Sequence, residues 1–106
     1  MLRYEVRIER GTGLKDADRL IERLCAEEGL ERTVKRTLQF YPGSMHWHFR
    51  RRIEAGTLEV ILWPGKRRIW LSVHANRTGQ WTDKSVRRLQ QAIERELRKE
   101  MRFAKS

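Results

Sequence analysis

Between Met45 and Ala75 the chain alternates apolar and polar side chains in three runs: Met45–Ile53, Thr57–Trp63 and Arg67–Ala75. Successive side chains of a strand point to opposite faces, so a period of two sorts these runs into two surfaces. Met45, Trp47, Phe49, Leu58, Val60, Leu62, Ile69, Leu71 and Val73 make one surface and read as core. His46, His48, Arg50, Arg52, Thr57, Glu59, Ile61, Trp63, Arg68, Trp70, Ser72 and His74 make the other. A solvated sheet face is mostly Lys, Glu, Thr and Ser. This one holds all three histidines, two of the four tryptophans and several arginines, which makes it the place to look for function.

Two more strands are predicted upstream. Over Leu2–Glu9, Leu2, Tyr4, Val6 and Ile8 alternate with Arg3, Glu5, Arg7 and Glu9. Over Arg32–Tyr41, Val34, Leu38 and Phe40 take the core phase together with Arg36, and Lys35, Thr37, Gln39 and Tyr41 take the outer one. Pro42-Gly43, Glu54-Ala55-Gly56 and Pro64-Gly65 supply turns between successive strands. Connections this short predict an antiparallel meander.

Two stretches change to a helical period. Ala17, Leu20, Ile21, Leu24, Cys25 and Glu28 follow i, i+3, i+4 spacing and predict a helix over Lys15–Glu28, with Asp16 or Asp18 at its start and Gly29 past its end. Cys25 falls on the apolar stripe and reads as a small core residue. Farther on, Thr82 is placed to cap a second helix, Trp81 and Val86 to staple its entry, and Asp83 to meet the positive end of its dipole. Its buried stripe is Val86, Leu89, Ile93, Leu97 and Met101, opposite a dense run of Lys and Arg.

The element order is therefore β-α-β-β-β-β-α. The expected class is α+β: a single five-stranded antiparallel sheet with both helices packed on its one apolar face. This order resembles that of the TATA-box-binding-protein-like and helix-grip folds, a likeness of element order that rests on no shared motif. One domain over residues 1–106 is expected, without repeats or linkers.

Charge narrows the partners. The 24 Lys and Arg outnumber the 14 Asp and Glu, a net charge of +10, which attracts polyanions, nucleic acid foremost. The one cysteine excludes an internal disulfide. No apolar run is long enough for a membrane span and the start of the chain has no signal-peptide pattern, so a cytoplasmic protein without membrane partners is expected. Gly11-Thr12-Gly13 between a strand and a helix lacks a Walker lysine and reads as a flexible connection rather than a phosphate loop.

No motif fixes a reaction, so the chain reads as a binding domain rather than an enzyme, with no cofactor expected. On a nucleic-acid platform, Tyr41, Trp63 and Trp70 would stack on bases of a single strand, while Arg50, Arg52, Arg68 and Lys35 would hold phosphates. The alternative is a protein partner or a homodimer on the apolar patch of Ile61, Trp63 and Trp70. A third reading gathers His46, His48 and His74 around a metal ion, with Glu59 as base or fourth ligand. The meander places a strand between His74 and the other two, about 10 Å away, which argues against a three-histidine site. Acid–base hydrolysis by the histidines lacks an evident carboxylate to orient either ring.

Overall fold

The computed structural model describes residues 2–37, 41–52, 54–73 and 80–105, with side chains for 3–37, 41–52, 54–73 and 81–99. Its elements run β1 (Leu2–Glu5), α1 (Ala17–Glu27), β2 (Glu31–Arg36), β3 (Met45–Arg50), β4 (Leu58–Trp63), β5 (Arg68–Val73) and α2 (Gln80–Lys105). The five strands form one antiparallel sheet in the order β1-β5-β4-β3-β2. β2 to β5 are the expected meander, and β1 joins it beside β5.

The period-two phase of β3, β4 and β5 sets the core. Trp47, Phe49, Leu58, Val60, Leu62, Ile69, Leu71 and Val73 are buried in one cluster with Leu20, Ile21, Leu24 and Cys25 of α1 and Val86, Leu89, Ile93 and Leu97 of α2. Both helices thus cover the same sheet face. Each large aliphatic side chain so buried contributes about 1.5–3 kcal/mol. Among the described residues no helix is long and apolar enough to cross a membrane.

α1 begins with Asp16 in the capping position, but the Asp16 side chain makes no capping bond; Asp18 supplies the negative charge of the first turn. Gly29 takes φ 83° after the helix end, a conformation that needs no Cβ accommodation in glycine. α2 starts at Gln80, two residues before the predicted cap. Thr82 is therefore a buried first-turn residue, and Trp81 fixes the entry by donating its indole Nε1–H to the Ala55 carbonyl at 2.8 Å.

The edge strands are guarded differently. At the end of β1, the Gln90 amide of α2 donates to the Glu5 carbonyl at 2.6 Å, and just past the strand Glu94 accepts the Arg7 N–H at 2.7 Å. β2 exposes charged side chains and carries a bulge between Arg32 and Val34; both devices discourage pairing with another chain. The bulge also changes the phase of the strand. Arg32 lies opposite Phe49, and a regular ladder would next set Thr33 against His48 and Val34 against Trp47. Instead Val34 faces His48, Lys35 faces Trp47 and Arg36 faces His46. Lys35 is thereby on the helix side of the sheet, and Arg36 is on the outer face, the reverse of the expected assignment.

Tyr41–Ser44 forms the predicted Pro-Gly turn: Gly43 has φ 81° and the Ser44 N–H donates to the Tyr41 carbonyl at 2.9 Å. The second Pro-Gly behaves otherwise. Pro64–Lys66 is a short 3-10 turn, and the left-handed residue is Arg67, with φ 52°. That conformation costs a side-chain-bearing residue about 1–2 kcal/mol. Arg67 offsets it by donating from Nη1 to the Thr12 carbonyl at 2.8 Å and from Nη2 to the Glu9 carbonyl at 3.2 Å. The loop after β1 is consequently fastened to the sheet, with Thr12 buried, rather than a loose connection. Arg67→Ala is expected to lower stability by about 1.5–3 kcal/mol through these charge-assisted bonds. Arg67→Gly relieves the backbone cost and is expected to lose less. Urea midpoints for the two variants check the order; equal midpoints would show that the backbone term is negligible.

Candidate functional site

Antiparallel register turns the outer sheet face into cross-strand rows. One row is Arg3, Ser72, Glu59, His48 and Val34. The next is Glu5, Trp70, Ile61, His46 and Arg36. At the end of the face, Arg68 pairs with Trp63. Directly opposed side chains are close enough to touch, and diagonal ones are within reach of long side chains. Two clusters follow from these rows.

The first is polar. His46 and His48 project from β3 with ring centroids 4.7 Å apart. Glu59, opposite His48 and diagonal to His46, reaches both: its Oε1 lies 3.2 Å from His48 Nε2 and its Oε2 lies 3.4 Å from His46 Nε2. Ser72 Oγ donates to Glu59 Oε2 at 3.4 Å from the far side. The group is enclosed: His46 and Glu59 are each 7% exposed and Ser72 is 1% exposed. A carboxylate therefore does stand against the two imidazoles, contrary to the expectation from sequence. The ladder between β3 and β4 puts it there. His74 lies outside the described residues, and the cluster is built without it.

The second cluster is aromatic and cationic. Tyr41 meets Trp63 edge-on at a centroid distance of 4.8 Å and Trp70 at 6.0 Å. Trp63 donates its Nε1–H to the Pro42 carbonyl at 3.0 Å, which locks the β2–β3 turn against the end of β4. The Arg3 and Arg68 guanidinium groups lie over the Trp70 ring, 5.1 Å and 4.5 Å from its centroid, and Arg68 also pairs with Glu5. Trp70 and Ile61 are each only 4% exposed, whereas Tyr41 and Trp63 are half-buried.

The other expected phosphate contacts divide. Arg50 is exposed on the outer face and pairs loosely with Glu31 at 3.7 Å. Arg52 has left the strand and sits exposed in the turn after β3, with φ 50°. Lys35 is on the other side of the sheet, where its Nζ contacts Glu22 Oε1 at 3.0 Å and lies 5.8 Å from the Trp47 ring centroid. Glu22 also accepts bonds from Trp47 Nε1 and Arg32 Nη1. Burial acts to raise the Glu22 pKa, but its bonds from Lys35, Trp47 and Arg32 outweigh burial and hold it below the usual carboxylate range. Arg36, given to the core by its strand phase, is exposed beside His46; only knowledge of the bulge would have revealed it. Cys25 is not a nucleophile in waiting: burial, then the Glu28 and Glu22 carboxylates, push its thiol up to about 12.

No family model, no curated protein and no solved structure matches this chain.

Proposed function

We propose that this is a small basic domain that binds single-stranded nucleic acid across the outer sheet face, with the cytoplasm as its place of action. The observation that carries the reading is what the face leaves open to solvent. Ile61 and Trp70 are covered within the chain, while Arg3, Arg36 and Arg50 are exposed, with the half-buried rings of Tyr41 and Trp63 at one end. A surface of cations flanking two rings suits phosphates and bases. A protein partner or a second copy would find little of the apolar patch that favoured it. The element order remains like that of the TATA-box-binding-protein-like and helix-grip folds, a likeness that adds no functional argument.

In this reading Tyr41 and Trp63 stack on bases, and Arg3, Arg36, Arg50, Arg52 and Arg68 hold the backbone. Lys35 has no part, being engaged with Glu22. Exposed ion pairs contribute only about 0–1 kcal/mol, so the pairs of Arg50 with Glu31 and Arg68 with Glu5 can be exchanged for phosphate contacts at small cost.

Fluorescence anisotropy with single-stranded RNA and DNA tests the proposal. Neutralising about four phosphates predicts roughly a 50-fold loss of affinity between about 50 and about 200 mM salt. Trp63→Ala is expected to weaken binding about tenfold or more by removing a stacking ring. Absence of binding at the lower salt would end the reading. Binding unaffected by Trp63→Ala combined with Arg36→Ala would remove it from this face.

A further inference from the structure

We propose that His46, His48 and Glu59 form a binding site for one first-row divalent metal ion, zinc above all. The inference is independent of nucleic-acid binding. It rests first on spacing. Glu59 Oε1 is 3.2 Å from His48 Nε2 and Glu59 Oε2 is 3.4 Å from His46 Nε2. One ligand atom from each of the three residues can be chosen so that all lie within 4.8 Å of one another. A tetrahedral ion about 2.0–2.1 Å from nitrogen and oxygen ligands holds them about 3.3 Å apart; each imidazole nitrogen already stands at about that distance from one of the two Glu59 oxygens, and gathering both nitrogens and a single oxygen around one ion takes a closing movement of the side chains from within 4.8 Å.

The second observation is the state of His46. The residue is 7% exposed, yet neither its Nδ1 nor its Nε2 has a hydrogen-bond partner. A Glu59–imidazolium pair would account for the cluster without a metal, but it requires an N–H aimed at the carboxylate. At His46 the contact has the distance and lacks the direction. Buried polar groups almost always find partners, and one left without them in a ring of metal-ligating side chains marks a place for an ion.

The donor set selects the ion. Two imidazoles and one carboxylate suit zinc and its neighbours in the first row, whereas magnesium and calcium prefer all-oxygen sites and copper(I) prefers sulfur. Three protein ligands leave a fourth position for water or a small anion. The Ser72 hydroxyl, 3.4 Å from Glu59 Oε2, orients the carboxylate from behind, as outer partners of metal ligands do. β3 and β4 supply all three ligands from adjacent, directly paired strands, so the site is held by the rigid middle of the sheet.

The test is equilibrium dialysis of the chelator-stripped full chain against zinc, followed by elemental analysis. The expected result is one zinc per chain and a rise in thermal midpoint, since an ion that binds only the folded state stabilises it. Glu59→Gln and His46→Gln keep the volume of each site residue or nearly so, and each is expected to weaken zinc binding at least about tenfold, as even outer-partner changes can. Circular dichroism verifies that the variants fold. Should either fail to fold, nitrogen-15 spectra of the wild-type imidazoles decide, because zinc must shift the ring signals of both His46 and His48. No zinc retained by the wild-type chain, undiminished retention by the folded variants, or unmoved ring signals would overturn the site.

Discussion

Trp47→Ala is expected to lower stability by about 3–5 kcal/mol, a large share of the roughly 5–15 kcal/mol available to a domain of this size. Trp47 is wholly buried at the centre of β3 and is among the largest side chains of the core. Its removal leaves a cavity between sheet and helices and also strips Glu22 of one of its donors. Trp47→Phe separates these effects. It keeps most of the apolar volume, loses the indole bond, and is expected to cost about 1–2 kcal/mol. The same pair of proteins reports on acid. Because the folded-state pKa of Glu22 lies below its ordinary 4.5, the carboxylate contributes stability that is fully present above that value. That stability is lost as pH falls through the folded pKa. Trp47→Phe removes one of the bonds that depress it, so the variant is expected to lose less in acid than the wild type does. Urea titrations at neutral and acid pH measure both quantities. A Trp47→Ala protein with an unchanged midpoint would contradict the core as described.

The second large effect is expected at Trp70. Its ring is almost fully buried on the outer face beneath two guanidinium groups. Trp70→Ala is expected to lose about 3 kcal/mol, combining the missing ring with cation–π contacts of about 0.5–1 kcal/mol each. A domain of this length should melt more than about 10 °C lower as a result. Measured where the variant is still folded, affinity for a single strand should fall less than in Trp63→Ala. That would identify Trp70 as the support of the cationic surface and Trp63 as the ring that meets a base. Full stability with abolished binding would reverse the two roles.

Alternation in β3, β4 and β5 made the core legible before any coordinates, because a strand with one buried face must repeat every two residues. The helices were legible from their stripes, α1 to within two residues at either end and α2 to within three at its start. The interior of the outer face was not. Whether Glu59 lies opposite His48 or one step away depends on the register that the Arg51–Thr57 connection imposes, and turn composition leaves such a shift open. The burial of Trp70 was equally hidden. It depends on arginines from both β1 and β5, strands whose ion-paired residues Glu5 and Arg68 are 63 positions apart in the sequence and that meet only in the sheet. Lys35 was misplaced for a third reason: periodicity assumes an unbroken ladder, and β2 has a bulge.

That bulge has a broader consequence. β2 is written in two reading frames, joined at Thr33. In the first frame Arg32 turns toward Glu22, and in the second Lys35 returns to the same carboxylate while Arg36 turns outward. One supernumerary residue thus divides the basic side chains of the strand into a pair that staples helix to sheet and a single one offered to solvent. Selection acting on the length of this strand, rather than on its composition, could redistribute charge between the two sides of the domain in a single step.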